Sequence, residues 1–213
     1  MPRLARLTIP GLPHHVTQRG NRREPIFFRP EDQRVYLWML AEQVRRWKVD
    51  VWAYCLMPNH MHAILTPSCD QGLARAMGEA HRRYTSFINQ RQGWTGHLFQ
   101  GRFSSVVMDE HHLRAAARYV AVNPVRAGLV ARAEDWRWSS VHAHLAGRDS
   151  RLVTVRPLLE RIEDFAGFIS PDPAVDRQWA ATFRALRCAE KTNAPVGTKE
   201  FVDRLRRDAG KTG

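Results

Sequence analysis

A chain of 213 residues with 44% hydrophobic and 25% charged side chains has the length of one ordinary domain plus an extension, and its composition excludes a disordered tail or a fibre. Its 33 Lys+Arg against 21 Asp+Glu give a net charge of +12 at pH 7 and a pI near 10.7, an imbalance that points to a polyanionic partner, nucleic acid or an anionic membrane. Only Lys48, Lys191, Lys199 and Lys211 are lysines; the rest is arginine, whose planar fork pairs with phosphate oxygens, although a GC-rich genome gives the same bias. Cys55, Cys69 and Cys188 form no Cys-x-x-Cys and leave an odd one, so neither a disulfide framework nor a thiolate zinc site is expected, and a reducing cytoplasm fits. The start, Met1 to Arg6, has charges but no apolar run after them, unlike a signal peptide. The longest uncharged stretch, Val51 to Cys69, carries Pro58, Asn59, His60 and His62 in its middle, which a bilayer-spanning helix would not. A soluble, cytoplasmic, nucleoid-associated protein is expected.

Leu12 to Thr17 reads as a strand entering a basic loop, Gln18 to Arg23. From Pro30 to about Trp47, Val35, Leu37, Trp38, Leu40, Ala41 and Val44 follow helical spacing. Val51 to Met57 and His60 to Thr66 are strand-like and joined by the turn pair Pro58-Asn59, which makes a hairpin. Gln71 to about Gln90 reads as a basic helix ended by Gly93 and Gly96, and Phe103 to Met108 as a fourth strand. Asp109 sits at an N-cap position before a third helix, Glu110 to Val122, which Pro124 should terminate. Through the fourth strand this order is the split βαβ, or ferredoxin-like, α+β pattern: an antiparallel sheet with two helices on one face, followed by the third helix. A division into residues 1–150 and a mostly helical basic extension, 151–213, is expected, with most of the excess positive charge in the first part.

His60-Met61-His62 carries the chemistry. On a strand, side chains alternate, so both imidazoles share a face about 6–7 Å apart and can converge on one divalent ion while Met61 points into the core. The alternative is two histidines that fill a half-buried strand. Tyr119 and Asn123 are four apart, on one face of the third helix, so a phenol and a carboxamide leave it side by side. Tyr119 is then a nucleophile or a core-edge tyrosine, and Asn123 an oxygen ligand or plain helix termination before proline. Tyr36, Tyr54 and Tyr84 are the competing tyrosines, with Tyr84 in Tyr84-Thr-Ser-Phe87-Ile-Asn89 the most serious.

The string Met57-Pro58-Asn59-His60-Met61-His62, together with Tyr119-Val-Ala-Val-Asn123-Pro124-Val125, resembles the HUH single-strand endonucleases, and more closely the REP-associated tyrosine transposases. His15 to Arg22, Gly96 to Phe103 and Trp136-Arg137-Trp138-Ser139-Ser140 also match family patterns, so the resemblance covers about residues 8–145 in order. It implies that His60 and His62 bind a single Mg²⁺ or Mn²⁺ with Asn123 as third ligand, and that Tyr119 attacks DNA to form a 5′-phosphotyrosine intermediate. The implied substrate is a single-stranded hairpin repeat with an unpaired flanking tetranucleotide. Because the three ligands are neutral, metal affinity without DNA should be weak.

Arg19, Arg22, Arg23, Arg82, Arg83, Arg102, Arg114 and Arg118 are candidate phosphate contacts, with Trp94, Phe99 and Phe103 nearby for base stacking. His14, His97, His111, His112, His142 and His144 are expected to be structural or surface residues. The leading expectation is a metal-dependent single-strand DNA endonuclease and strand-transferase. The alternatives are a catalytically silent, domesticated nucleic-acid-binding protein of the same fold and a metal-dependent hydrolase that uses water. Monomer and homodimer both remain open.

Overall fold

Four strands, β1 (His14–Arg19), β2 (Val49–Met57), β3 (His60–Pro67) and β4 (Ser104–Val107), pair into one antiparallel sheet in the order β2-β3-β1-β4. The computed structural model describes residues 7–210; Met1 to Arg6, read above for a signal peptide, and residues 211–213 lie outside the described residues. Helices α1 (Pro30–Arg46) and α2 (Gly72–Gln92) connect β1 to β2 and β3 to β4, which gives the expected ferredoxin-like arrangement. β1 runs two residues further than its apolar pattern suggested, so Gln18 and Arg19 are strand residues, and Arg19 lies opposite His60.

Register decides which side chains meet. Paired residues share a sheet face, so Val16 with Ala63 and Gln18 with Met61 turn toward α1 and α2, while His15 with Ile64 and Thr17 with His62 turn the other way. In β2 a bulge between Val51 and Ala53 shifts the alternation. Val51 packs with the α1–α2 core, whereas Ala53, Cys55 and Met57 join the opposite core.

α1 and α2 share one face, as expected, and the third helix, α3 (Glu110–Arg126), covers the other, packing on β2 and β3. Asp109 caps it as expected, accepting a hydrogen bond from the His112 amide at 2.9 Å. Its Ala- and Val-rich middle is buried all round, from Ala115 to Pro124, which a helix tolerates only when sandwiched between two layers. Pro124 does not end it. The helix continues to Arg126, and Asn123 lies inside it, with its carbonyl accepting from the Ala127 amide at 3.0 Å. A proline one turn from the end forgoes only one backbone bond.

Five helices follow, α4 (Val141–Leu145), α5 (Arg156–Leu159), α6 (Phe165–Ile169), α7 (Pro173–Thr192) and α8 (Lys199–Gly210); α6 and α7 form an outer layer over α3, while α8 packs through Phe201 and Leu205 on Val107. α7 packs on both α3 and β4, with Phe183 and Leu186 in the same core as Val120. Ser104 Oγ donates to the Glu190 carbonyl at 2.7 Å, the Ser105 amide donates to Asn193 Oδ1 at 2.9 Å, and Val196 bridges to Met108. Residues 151–196 therefore share a core with the first 150. Among the described residues no helix is long and apolar enough to cross a membrane.

Candidate active site

The α3 face of the sheet gathers His15, His60 and His62 beneath Tyr119. The rings of His60 and His62 stand 4.9 Å apart and nearly perpendicular, as the strand alternation of β3 requires. His15, brought alongside by the β1–β3 pairing, stacks on His62 at 5.2 Å between ring centres. Each of the two β3 histidines has its Nδ1 occupied. His60 Nδ1 lies 2.6 Å from Asn59 Oδ1, and His62 Nδ1 lies 3.1 Å from His15 Nε2. Asn59 is itself held by donating from Nδ2 to the Arg23 carbonyl at 2.8 Å. With an amide oxygen as acceptor, His60 must carry its proton on Nδ1, which leaves the Nε2 lone pair for a ligand. His62 Nε2 is buried and has no hydrogen-bond partner among the described residues. These atoms fit a divalent ion held by imidazole nitrogens.

Tyr119 meets both stacked histidines edge-on, with ring centres 5.3 Å from His62 and 6.0 Å from His15. The Asn123 side chain, the i,i+4 neighbour, lies near its phenol and acts to lower it. Phe183 of α7 packs 5.4 Å from its ring, and the Arg126 guanidinium lies over both rings. Glu190, also on α7, completes the group: its Oε1 is 3.6 Å from His15 Nδ1, and His15, His62 and Glu190 offer ligand atoms within 4.8 Å of one another.

Burial sets the charge states. Desolvation lowers His15 to about 4 and His60 to about 4, the latter helped by Arg19, and pushes His62 well below its ordinary value. All three are neutral at pH 7, as metal ligation demands. Desolvation, then the Glu190 charge, raises the Tyr119 phenol, so it is protonated at rest. Burial pushes Glu190 up to about 7 against the pull of Arg19 and Arg187.

The histidines predict acid sensitivity. His14, on the opposite sheet face, is also lowered to about 4 by burial. Between pH 6.5 and 4 the unfolded chain binds protons on these imidazoles that the folded chain refuses, so stability falls as pH falls through that window, by roughly 3 kcal/mol for each fully buried ring. Glu190 opposes this: its raised value contributes stability at low pH that is lost as pH rises through about 7. Thermal melts in chelator should show a net drop in Tm from pH 6.5 to 4; a flat or rising profile would contradict it.

The structure separates the four tyrosines. Tyr36 and Tyr84 lie in the α1–α2 core, with the Tyr84 hydroxyl donating to the Ile26 carbonyl at 2.7 Å and the Tyr36 hydroxyl 2.9 Å from His81 Nε2. Tyr54 packs against the same core. Only Tyr119 shares a face with His60 and His62.

The candidate phosphate contacts divide. Arg19 lies opposite His60, and exposed Arg22 and Arg23 sit on a loop tied to the same lip, where the Gly20 amide donates to the Asn59 carbonyl at 2.8 Å. A Cβ at Gly20 would come within 2.2 Å of the Glu24 carbonyl oxygen, so only glycine permits this closure. Arg82 and Arg102 line a cleft of about 590 Å³ on the α2 side, with Gln18, His97, Phe99 and Phe103. Arg82 pairs with Glu79 and Arg83 with Glu42. Phe99 is 7% exposed, packed 4.5 Å from His81, so it forms a floor and offers no free stacking face. Trp94, 49% exposed, is the open aromatic and shares a smaller pocket with Arg22.

Arg118 is the clear correction. It is 1% exposed and is spent on Asp176 and on the carbonyls of Phe168 and Ser170, pinning α3 to the C-terminal layer, where no phosphate reaches it. Sequence reasoning missed His15 and Glu190. His15 could have been found from the β1–β3 pairing opposite Ile64, two pairs from His62 and so on the same face; nothing in the sequence marks Glu190, which only the docking of α7 brings in.

Comparison with known proteins finds the family model described as "Transposase IS200 like" matching residues 8–123. A REP-associated tyrosine transposase of Escherichia coli is 25% identical over 103 residues, 48% of this chain and 59% of that relative. The chain thus spans less than two thirds of that relative's length. Among solved structures, one titled as a REP-associated tyrosine transposase bound to a REP hairpin superposes with a TM-score of 0.60 at 22% identity, over 72% of this chain and 92% of the other, which supports the fold.

Proposed function

The chain belongs to the IS200-like transposase family, and from that premise we propose that it is a metal-dependent endonuclease and strand-transferase of single-stranded hairpin DNA that works through Tyr119. The observation that carries this reading is that the Tyr119 ring stands 5.3 Å from His62, on the sheet face that also presents His60. His60, His62 and Asn123 are the residues that would hold Mg²⁺ or Mn²⁺. When bound, such an ion offsets charge on the oxygens of the scissile phosphate.

The protein's own groups do the rest. The Tyr119 oxygen attacks phosphorus in line, the bond from phosphorus to the 3′-oxygen breaks, and the departing 3′-oxygen takes up a proton in place of the one the phenol gives up. The strand stays joined to Tyr119 through a 5′-phosphodiester, whose bond energy lets a second 3′-hydroxyl reverse the attack and join another strand. Water as nucleophile would only cut. Asn123 holds the phenol in place, and Arg126 over the ring favours its anionic form.

Hairpin DNA as partner is carried over from the relative bound to a REP hairpin. Arg19, Arg22 and Arg23 at the His60 lip suit the phosphates around the cut, and Arg82, Arg102 and Trp94 suit an unpaired flank. The test is incubation with labelled single-stranded hairpins in Mn²⁺ or in EDTA, followed by a denaturing gel. A covalent protein–DNA band that requires the metal is expected. Cleavage without a band would replace this reading with hydrolysis by water, and tight binding with neither would leave a silent binding protein.

A further inference from the structure

The Nδ1 of His62 is not satisfied by a backbone carbonyl or by a carboxylate. It faces another imidazole, and that imidazole faces a carboxylate. Glu190 Oε1 lies 3.6 Å from His15 Nδ1, and His15 Nε2 lies 3.1 Å from His62 Nδ1, so the three form a row that ends at the buried, unpartnered Nε2 of His62. All three groups turn inward: His15 and His62 are essentially unexposed, and His15 Nδ1 and Glu190 Oε1 are buried facing one another with no hydrogen-bond partner among the described residues.

A neutral imidazole has one N–H and one lone pair, so a row of two has only two consistent proton arrangements. We infer that Glu190, delivered by α7, is a positioning residue that selects one of them. Its carboxylate, 3.6 Å away and beyond hydrogen-bond reach, favours the proton on His15 Nδ1 by charge, His15 Nε2 then accepts from His62 Nδ1–H, and the His62 Nε2 lone pair is left free for a metal ion. The opposite arrangement would put hydrogen on His62 Nε2 and block ligation. Asn59 sets the same polarity on His60 from the other side, with its Oδ1 as acceptor. Orientation of a ligating histidine through its second nitrogen is the usual way a protein fixes the tautomer. Here the orienting carboxylate acts through a second histidine and comes from residue 190, outside the 8–123 segment matched by the family model.

The inference rests on the proposed metal role of His62, and its test is made without DNA so that a missing covalent adduct leaves it untouched. Protein with ¹⁵N-labelled histidine, at pH 8 and free of metal, is compared with Glu190→Gln by long-range ¹H–¹⁵N correlation, which reads the tautomer of each ring. Mn²⁺ affinity is measured on the same samples by electron paramagnetic resonance. The glutamine is isosteric and can face His15 with either its oxygen or its nitrogen, so fold and Tm should hold while the polarity is no longer enforced.

The expected result is His62 fixed with its proton on Nδ1 in the wild type, a mixture of tautomers in the variant, and Mn²⁺ affinity lower by about 10- to 100-fold. An unchanged tautomer with unchanged affinity would overturn the inference and leave Glu190 a packing residue. An unchanged tautomer with affinity abolished would also overturn it, because Glu190 would then be a direct ligand. If the wild type bound no Mn²⁺ at all, the metal role of His62 would fail, and the tautomer readout alone would still decide what Glu190 does.

Discussion

Tyr119→Phe is expected to abolish covalent attachment to hairpin DNA, lowering its rate by at least about 10⁴-fold, while DNA affinity stays within about twofold of wild type. Phenylalanine keeps the ring contacts to His15, His62 and Phe183 and the Arg126 cation on its face, so the fold has little reason to change. What is lost is one oxygen, so stability should change by no more than about 1 kcal/mol. Single-turnover adduct formation on denaturing gels and anisotropy of a labelled hairpin measure the two quantities separately. An adduct that persists would show that another tyrosine attacks.

The second large effect is on stability. Arg118→Met is expected to destabilise the protein by about 3 kcal/mol, because the carbonyls of Phe168 and Ser170 lose their buried donor and α3 loses its ion pair with Asp176 on α7. For a chain of this size that corresponds to a Tm lower by roughly 10 °C. The salt dependence of DNA binding should not change. Loss of a phosphate contact would reduce the slope of log affinity against log salt by about one, so a changed slope with an unchanged Tm would restore Arg118 as a DNA contact.

Much of this site was legible because strand and helix periodicities place side chains without long-range information. His60 and His62 on one face, with Met61 turned into the core, follow from alternation within three residues. Tyr119 beside Asn123 follows from i,i+4 geometry, and the Asp109 cap from its position before a helical run. The misses were all tertiary. Arg118, in a run of alanines, reads as a phosphate contact until α6 and α7 close over it. Pro124 reads as a stop signal, yet the packing of α3 between the sheet and the outer layer carries the helix past it. The layer over α3 is likewise out of reach of local pattern, since α7 starts more than 60 positions after α3 does. His15 and Glu190 belong to this class: one needs the β1–β3 register, the other the docking of a helix that shares no motif with the rest of the site.

The central claim is that a tyrosine attacks beside a histidine pair, and it is tested most directly by locating the DNA on the protein. The covalent product formed in Mn²⁺ would be digested with protease and nuclease and the phosphonucleotide-bearing peptide sequenced by mass spectrometry. The expected result is a single modified residue, Tyr119, in the peptide that also contains Asn123. Modification of Tyr36, Tyr54 or Tyr84, or a product carrying no modified tyrosine, would contradict it.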